Sequence, residues 1–356
     1  MRDRLRELDG LRGVAILIVI FYHYLGRFPD FYPYGFNVSN VFEYGKLGVH
    51  LFFIISGFVI SLTLERSAVA VEFVSKRLGR LLPPMIACSL LTFAVMWSVD
   101  TPFTQFRRVG WEGFFPSWTF TRPLLWHPIF PNADYIDGAY WSLFVEVRFY
   151  FWAAVFAFMP YFRKFTLVTN MMFMFFVAYA LRIIFLLLGW RYAYFANNML
   201  FFTDHLYLFI SGVLFYNIFQ GRNLISNSIM VCVVYSALFL TGNDFYSCLV
   251  VTSFYFIFIL LVFNRPLVGF LCFRPLVFVG AVSYSTYLLH QNIGVTILTS
   301  LPAGWSAAGY LLMIAGTIAL VLFLGWMSFN FIERKSYWYA NILASLFARL
   351  PRAKEG

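Results

Sequence analysis

Long runs of apolar residues, separated by short polar segments, recur along the whole chain. Ten of these runs approach the roughly 20 residues that an α-helix needs to cross the hydrocarbon core of a bilayer. The pattern therefore predicts an all-α polytopic membrane helix bundle of about ten transmembrane helices. The predicted spans cover residues 9–25, 47–64, 82–99, 141–160, 167–189, 204–219, 225–241, 245–263, 276–299 and 308–332.

Composition favours a membrane protein over a soluble enzyme or a nucleic-acid-binding protein. Of the 356 residues, 61% are hydrophobic and 12% are charged, whereas soluble globular chains are nearer half apolar and a quarter charged. The formal net charge of +10 is interpreted as loop charge that sets orientation in the bilayer, not as a nucleic-acid surface. The four cysteines have no metal-type spacing, so we expect neither a disulfide nor a metal site.

Lysine and arginine are distributed unevenly between alternate loops. If the N-terminus is cytoplasmic, 18 of these residues lie on the cytoplasmic side and 6 on the outer side. Cytoplasmic loops accumulate positive charge, so both termini are expected in the cytoplasm. We expect one membrane domain over residues 1–335, with no appended soluble module, and a cytoplasmic tail over residues 336–356. The tail is predicted to be an amphipathic helix because it has apolar residues at four-residue steps, namely Trp338, Ile342, Leu346 and Leu350.

The longest outer loop, residues 100–140, is rich in aromatic side chains. These include Trp111, Phe114, Phe115, Trp118 and Trp126. One interpretation is an aromatic belt at the membrane interface, which accounts for most of them. The alternative is a cap whose rings pack on a sugar-like molecule.

The first span contains the strongest candidate for chemistry. Asp9 and Arg12 lie near its start, and His23 follows Arg12 by 11 residues. Eleven residues are almost three helical turns, so Arg12 and His23 are predicted on one face, about 16 Å apart along the axis. Ionisable groups in a span are costly, and an aligned pair indicates function more strongly than a lone structural histidine does.

Two arginines precede the third predicted span. Arg77 and Arg80 are three residues apart and would share a helix face. Ordinary cytoplasmic loop charge explains the presence of arginine there but not the paired spacing. Two guanidinium groups on one face suit the binding of phosphate groups.

A third cluster lies at the start of the fourth predicted span. Ser142 and Glu146 are four residues apart and can face the same space. Glu146 is predicted near the depth of His23, where its carboxylate could orient the imidazole; alternatively it is a structural partner of Arg148 or Arg182. Further polar candidates at similar depth are His50, Tyr287 and His290.

Taken in order, these residues resemble the acyltransferase-3 family of bacterial integral-membrane O-acyltransferases. The resemblance covers nearly the whole chain. It is carried by Leu8-Asp9-Gly10-Leu11-Arg12-Gly13 with His23, by Gly48–Phe58, by Arg77/Arg80/Pro83, by Trp141-Ser142-Leu143 with Glu146, and by the weaker landmarks Gly212-Val213-Leu214, Ser283–His290 and Ile332-Glu333-Arg334.

The resemblance implies an enzyme of the bacterial inner membrane. Such an enzyme transfers an acyl group, commonly acetyl from cytoplasmic acetyl-CoA, to a hydroxyl of a cell-surface glycan or lipid-linked saccharide. Acetyl-CoA would be a co-substrate, and no permanently bound cofactor is expected. The oligomeric state cannot be read from the sequence.

The hypothesis for the mechanism assigns His23, Glu146 and Arg12 to catalysis and Arg77 and Arg80 to donor binding. Asp9, His50, Ser142, Tyr287 and His290 are possible supporting residues. His23 acts either as a general base on the acceptor hydroxyl or as a covalent carrier of the acyl group. Two rival functions are a transporter or flippase for a lipid-linked sugar, which would be expected to show inverted repeats, and a structural scaffold.

Overall fold

The computed structural model describes residues 5–349, and this part of the chain is all-α without a strand. Most apolar runs form long helices, and short 3₁₀ turns connect several of them. The α-helices are α1 Arg6–Phe21, α2 Ser39–Phe42, α3 Gly48–Glu65, α4 Ala70–Ser98, α5 Pro102–Arg107, α6 Phe114–Thr119, α7 Trp141–Phe158, α8 Leu167–Leu187, α9 Arg191–Phe201, α10 Leu206–Phe219, α11 Leu224–Tyr235, α12 Phe245–Phe263, α13 Arg274–Ala281, α14 Ser283–Thr299, α15 Ala307–Phe331 and α16 Ser336–Arg349.

Within residues 5–349, eight helical segments are long and apolar enough to cross a membrane, which confirms a polytopic bundle. Two of the ten predicted spans do not reach that standard. One is the shorter apolar helix Leu224–Leu240. The other is divided at Val282 into α13 and α14, and α14 carries a run of polar residues that lowers its hydropathy.

The third span begins earlier than predicted. Helix α4 starts at Ala70, so Arg77 and Arg80 lie on the helix and not in the loop ahead of it. Pro83 and Pro84 lie inside this helix and leave the carbonyls of Gly79 and Arg80 without their usual N–H donors. Arg77 and Arg80, for which ordinary loop charge is the alternative interpretation, are therefore held on a rigid helix.

The centre of the bundle is formed by α1, α3, α10 and α14, whose side chains are mostly buried. Helices α3 and α10 pack closely at Gly57 and Gly212, where an added Cβ on Gly57 would lie 2.0 Å from the carbonyl oxygen of Phe209. Helices α12 and α15 lie at the periphery, where most of their residues are not buried. The polar helix α14 is therefore shielded from lipid.

The C-terminal segment forms the predicted helix as α16, which packs along α4. Ala340 is buried, whereas Trp338, Ile342 and Leu346 are exposed. The apolar side chains of the predicted amphipathic pattern thus lie on the outer surface of the bundle. Leu350, like Arg2 and Arg4 of the charge count, lies outside the described residues.

The aromatic loop packs mainly on itself and on α4. Phe115 stacks on Trp126 with ring centroids 4.9 Å apart, and Trp118 Nε1 donates a hydrogen bond to Ser89 Oγ of α4 at 2.8 Å. Trp111 remains exposed. These contacts favour the interpretation as an interfacial belt, because these rings already have partners within the loop or on α4.

Candidate active site

Helix α1 places Arg12 and His23 at opposite ends of a chain of cavities. We call the end of the bundle where α1 begins the Arg12 end and the other the His23 end. The α-helix finishes at Phe21 and continues as a π-helical turn, Tyr22–Gly26, which contains His23. A π-helical turn holds one residue more than an α-helical turn, so it changes the direction of the side chains that follow. Arg12 and His23 line adjoining cavities and not the same one.

The arginine cavity opens at the Arg12 end and has a volume of about 780 Å³. It is lined by Arg12, Arg66, Arg80 and Arg265 together with Asp9 and Glu333. Arg12 Nη1 lies 3.3 Å from Asp9 Oδ1, which places the candidate Asp9 as a partner of Arg12.

A further carboxylate fixes one of these arginines. Arg265 donates two hydrogen bonds to Glu7, from Nε at 2.6 Å and from Nη2 at 2.9 Å. The cavity thus has four arginines and three nearby carboxylates. The excess positive charge suits a ligand with several negative charges.

The middle cavity adjoins the arginine cavity and is much smaller, about 80 Å³. The two cavities share Arg12, Arg80 and Tyr284. The middle cavity also receives Arg77, whose Nη2 donates to Thr63 Oγ1 at 2.8 Å. Arg77 and Arg80 therefore line the same cavity, as their helical spacing predicts, and Arg12 lines it with them.

Glu146 lies in the middle cavity. Its Oε1 accepts a hydrogen bond from Ser56 Oγ at 2.8 Å and another from the Tyr150 hydroxyl. The predicted contact between Glu146 and His23 is wrong, because the two residues line different cavities and have different partners. Packing of α7 against α3 brings Ser56 to the carboxylate, and Tyr150 lies one turn further along α7 itself.

Ser142 and Tyr287 connect α7 to α14. Their hydroxyl oxygens lie 2.7 Å apart, and the Tyr287 hydroxyl also donates to the carbonyl oxygen of Ala139 at 2.7 Å. Tyr287 lines both the middle cavity and the next cavity towards the His23 end. It thus lies on the border between them.

The histidine cavity, about 580 Å³, lies at the His23 end and is lined by His23, His50, Arg27, Lys46 and Gln291, among others. It shares Val49 and Tyr287 with the middle cavity. The three cavities therefore adjoin in sequence from the Arg12 end to the His23 end.

His23 and His290 form a buried imidazole pair. His290 Nε2 lies 3.1 Å from His23 Nδ1, and His23 Nδ1 is also 2.9 Å from the carbonyl oxygen of Val19. His290 Nδ1 lies 2.7 Å from the carbonyl oxygen of Tyr287. Carbonyl oxygens only accept hydrogen bonds, so both Nδ1 atoms carry the proton in the neutral pair. The lone pair of His23 is then on Nε2, which is the nitrogen a general base needs to have free.

Two other candidates occupy the edge of this region. The Nδ1 atom of His50 is buried without a hydrogen-bond partner among the described residues, and its ring lies 5.5 Å from the ring of His205. Asp137, one residue before the fourth membrane-spanning segment Gly138–Phe158, accepts hydrogen bonds from the backbone N–H groups of Ala139 and Asn292, both at 2.8 Å. Burial raises the pKa of Asp137 to about 6. Asp137 links the start of α7 to α14, which carries His290.

Several residues of the site escaped the sequence analysis. Tyr150 follows Glu146 by four residues, so helical spacing could have identified it. Ser56 is a polar residue in the apolar run Gly48–Phe58, but its contact with Glu146 depends on how α3 packs on α7. Nothing in the local sequence relates Glu7 to Arg265.

Comparison with known proteins identifies the family of this chain. The acyltransferase-3 family model, described as an acyltransferase domain, matches residues 5–327. The chain is 25% identical to the membrane-bound transacylase BcsY of Komagataeibacter xylinus, with 96% of this chain and 85% of that protein aligned. It is 26% identical to the O-acetyltransferase OatA of Staphylococcus aureus, where 98% of this chain spans 59% of the relative.

A shorter match supports the same assignment. The O-acetyl transferase of Shigella phage Sf6 is 35% identical over 80 residues, which are 22% of each chain. No solved structure matches the chain. Because the family model covers most of its length, the chain belongs to the acyltransferase-3 family and is a membrane O-acyltransferase.

Proposed function

We propose that this chain transfers an acetyl group from cytoplasmic acetyl-CoA to a hydroxyl of a cell-surface glycan or lipid-linked saccharide. The observation that carries the proposal is the row of adjoining cavities that joins an arginine-lined opening to an imidazole pair. The names of the relatives, which are transacylase and O-acetyltransferase, support acyl transfer and favour acetyl. Two of these relatives come from bacteria, which supports a bacterial inner membrane as the location.

The donor enters at the Arg12 end, which faces the cytoplasm in this proposal. Arg80 and Arg12 hold the phosphate groups of the CoA moiety at the junction of the arginine and middle cavities, with Arg77 beside them. The thin pantetheine arm extends through the middle cavity past Glu146. Arg12 and His23 are 11 residues apart on one helix, or about 16 Å along the axis.

The acceptor enters at the His23 end. His23 Nε2 accepts the proton of the acceptor hydroxyl while the hydroxyl oxygen attacks the thioester carbonyl carbon. The C–S bond breaks, an ester bond forms, and the proton is finally transferred to the CoA thiolate. His290 accepts a hydrogen bond from His23 Nδ1 and so holds the ring in the productive tautomer.

A His23→Ala substitution tests this proposal. Acetyl transfer by the purified protein should fall about a thousandfold, because a general base contributes two to four orders of magnitude to the rate. The affinity for acetyl-CoA should stay within about twofold, since the arginines are untouched. His127→Ala is the matched control, because His127 lies in an exposed loop and does not line the cavities.

The same substitution in the native host identifies the acceptor. Mass spectrometry of surface glycans before and after mild alkali should show an ester mass that disappears in the His23→Ala strain while the glycan remains. Loss of the glycan itself would instead indicate export of a lipid-linked sugar. Near-normal acetylation in the variant would remove His23 from the mechanism.

A further inference from the structure

A fourth cavity lies beside the histidine cavity at the His23 end and is not used in the mechanism above. Its volume is about 400 Å³, and three arginines line it: Arg107, Arg122 and Arg148. We call it the side cavity. It shares Arg107, Gly138 and Trp141 with the histidine cavity, so the two cavities adjoin.

Two of the three arginines of the side cavity, Arg122 and Arg148, lie over aromatic rings. The guanidinium carbon of Arg148 lies 4.1 Å from the ring centroid of Phe144, and that of Arg122 lies 5.8 Å from the same centroid and 5.4 Å from that of Phe195. Arg148 also donates to the carbonyl oxygens of Asn198 and Met199. Stacking on rings fixes a guanidinium group without cancelling its charge.

The carboxylates near this group have other partners, although Asp204 acts electrostatically on Arg148. Asp204 lines the cavity but pairs with Arg182 at 2.6 Å, and Asp134 is exposed and accepts from the backbone N–H of Tyr135. Asp137 acts electrostatically on Arg107. Both oxygens of Asp137, however, accept backbone N–H groups. Among the described residues, neither Arg122 nor Arg148 has a carboxylate within ion-pair distance.

Several polar atoms of the cavity are buried and lack partners within the described part of the chain. They are Arg107 Nε, Tyr135 OH, Arg148 Nε and His205 Nδ1. Buried polar groups in folded proteins normally have hydrogen-bond partners, so a set of orphans around one cavity indicates a polar ligand. Trp141, 39% exposed, lines the same space and offers a ring face of the kind on which sugars pack.

We propose that the side cavity binds an oxyanion, carboxylate or phosphate, carried by the acceptor, so that the acceptor is an acidic saccharide. This inference rests on the proposed function. Arg122 and Arg148 hold the oxyanion, Trp141 packs on the sugar ring, and the hydroxyl to be acylated extends past Arg107 into the histidine cavity. Arg122 is the selective element, since its side chain makes no hydrogen bond to the described residues, whereas Arg148 also supports the backbone of α9.

Equilibrium binding to the full chain in phosphatidylcholine nanodiscs tests the proposal without any acyl donor. Saturation-transfer NMR is suited to weak ligands, and the probes are glucuronate, glucose 1-phosphate and uncharged glucose. Both acidic probes should bind at least about tenfold more tightly than glucose, because charge-assisted hydrogen bonds are the strong ones. Arg122→Gln should remove most of that preference. The matched control is Arg191→Gln, an exposed arginine at the same end that does not line the cavity.

Three results would overturn the inference. Equal binding of glucose and glucuronate would show that the cavity does not select an anion, and an unchanged preference in Arg122→Gln would place the site elsewhere. Loss of probe binding when phosphatidylglycerol is added to the nanodiscs would assign the cavity to a lipid headgroup. If the wild type binds glucuronate through Arg122 but never turns over acetyl-CoA, the anion site stands and the proposed transfer fails.

Discussion

The arginine cavity and the side cavity lie at opposite ends of the bundle and hold their arginines in different ways. In the arginine cavity, Arg265 forms a two-point hydrogen bond with Glu7, and Arg12 pairs with Asp9. In the side cavity, Arg122 and Arg148 lie against Phe144. A carboxylate fixes an arginine and cancels its charge, whereas an aromatic face fixes it and leaves the charge available.

This difference relates to the size of the expected ligands. A donor with several phosphate groups can be attracted by a modest excess of positive charge spread over a large cavity. A single oxyanion on a saccharide needs a concentrated positive charge in a small cavity. The imidazole pair lies between the two regions, and variants on each side of it can separate their contributions.

Apart from His23 itself, the largest effect should come from His290, whose ring contacts that of His23. His290→Ala should lower kcat about a hundredfold, because a misplaced catalytic group costs roughly that factor. The affinity for acetyl-CoA should be unchanged, since the arginine cavity is intact. His290→Gln should recover part of the rate, because its side-chain oxygen can accept from His23 Nδ1. An equal loss in both variants would indicate that His290 only fills space.

Substitution of Arg80 should have the next largest effect, and this effect should be confined to binding of the donor. Arg80→Gln should weaken acetyl-CoA binding about tenfold or more, since a hydrogen bond to a charged group contributes on the order of 1.5–3 kcal/mol. The KM for the acceptor should not change. Arg163→Gln is the comparison, because Arg163 lies in a connecting turn and does not line the arginine or middle cavity. An unchanged affinity for acetyl-CoA would show that Arg80 contributes only to the orientation of the protein in the bilayer.

Glu146 should show the smallest effect. In Glu146→Gln the side-chain oxygen still accepts from Ser56 and Tyr150, so activity should fall by less than about tenfold. Glu146→Ala should lose more activity because both hydroxyl groups lose their acceptor. The pH dependence of kcat should be the same in Glu146→Gln as in the wild type. A shifted profile would show that Glu146 approaches His23 during turnover.

Helical spacing is sufficient to predict which side chains a single helix places together. The pairing of Arg77 with Arg80 and the presence of Arg12 and His23 on one continuous element follow from local periodicity. The direction of His23 does not, because the π-helical turn at Tyr22–Gly26 depends on how α1 packs at its end. The class of fold was accessible for the same reason, since apolar runs of span length are local features.

Contacts between helices that are distant in the sequence could not be predicted from it. His290 was expected only to lie near the depth of His23, and its contact with His23 joins residues 267 positions apart. Glu146 was assigned to His23 by depth alone, whereas packing against α3 brings Ser56 to it. The arginines of the side cavity come from a loop and two helices, so no single stretch of sequence brings them together.

The small middle cavity has a consequence for the membrane as an electrical barrier. Moving one elementary charge across 100 mV involves about 2.3 kcal/mol, so an open water-filled pore would rapidly dissipate an ion gradient. Between the wide cavities of about 780 and 580 Å³ lies one of only about 80 Å³. In the proposed transfer, a protein with this profile would pass an acetyl group from one aqueous compartment to the other while the bilayer stays insulating.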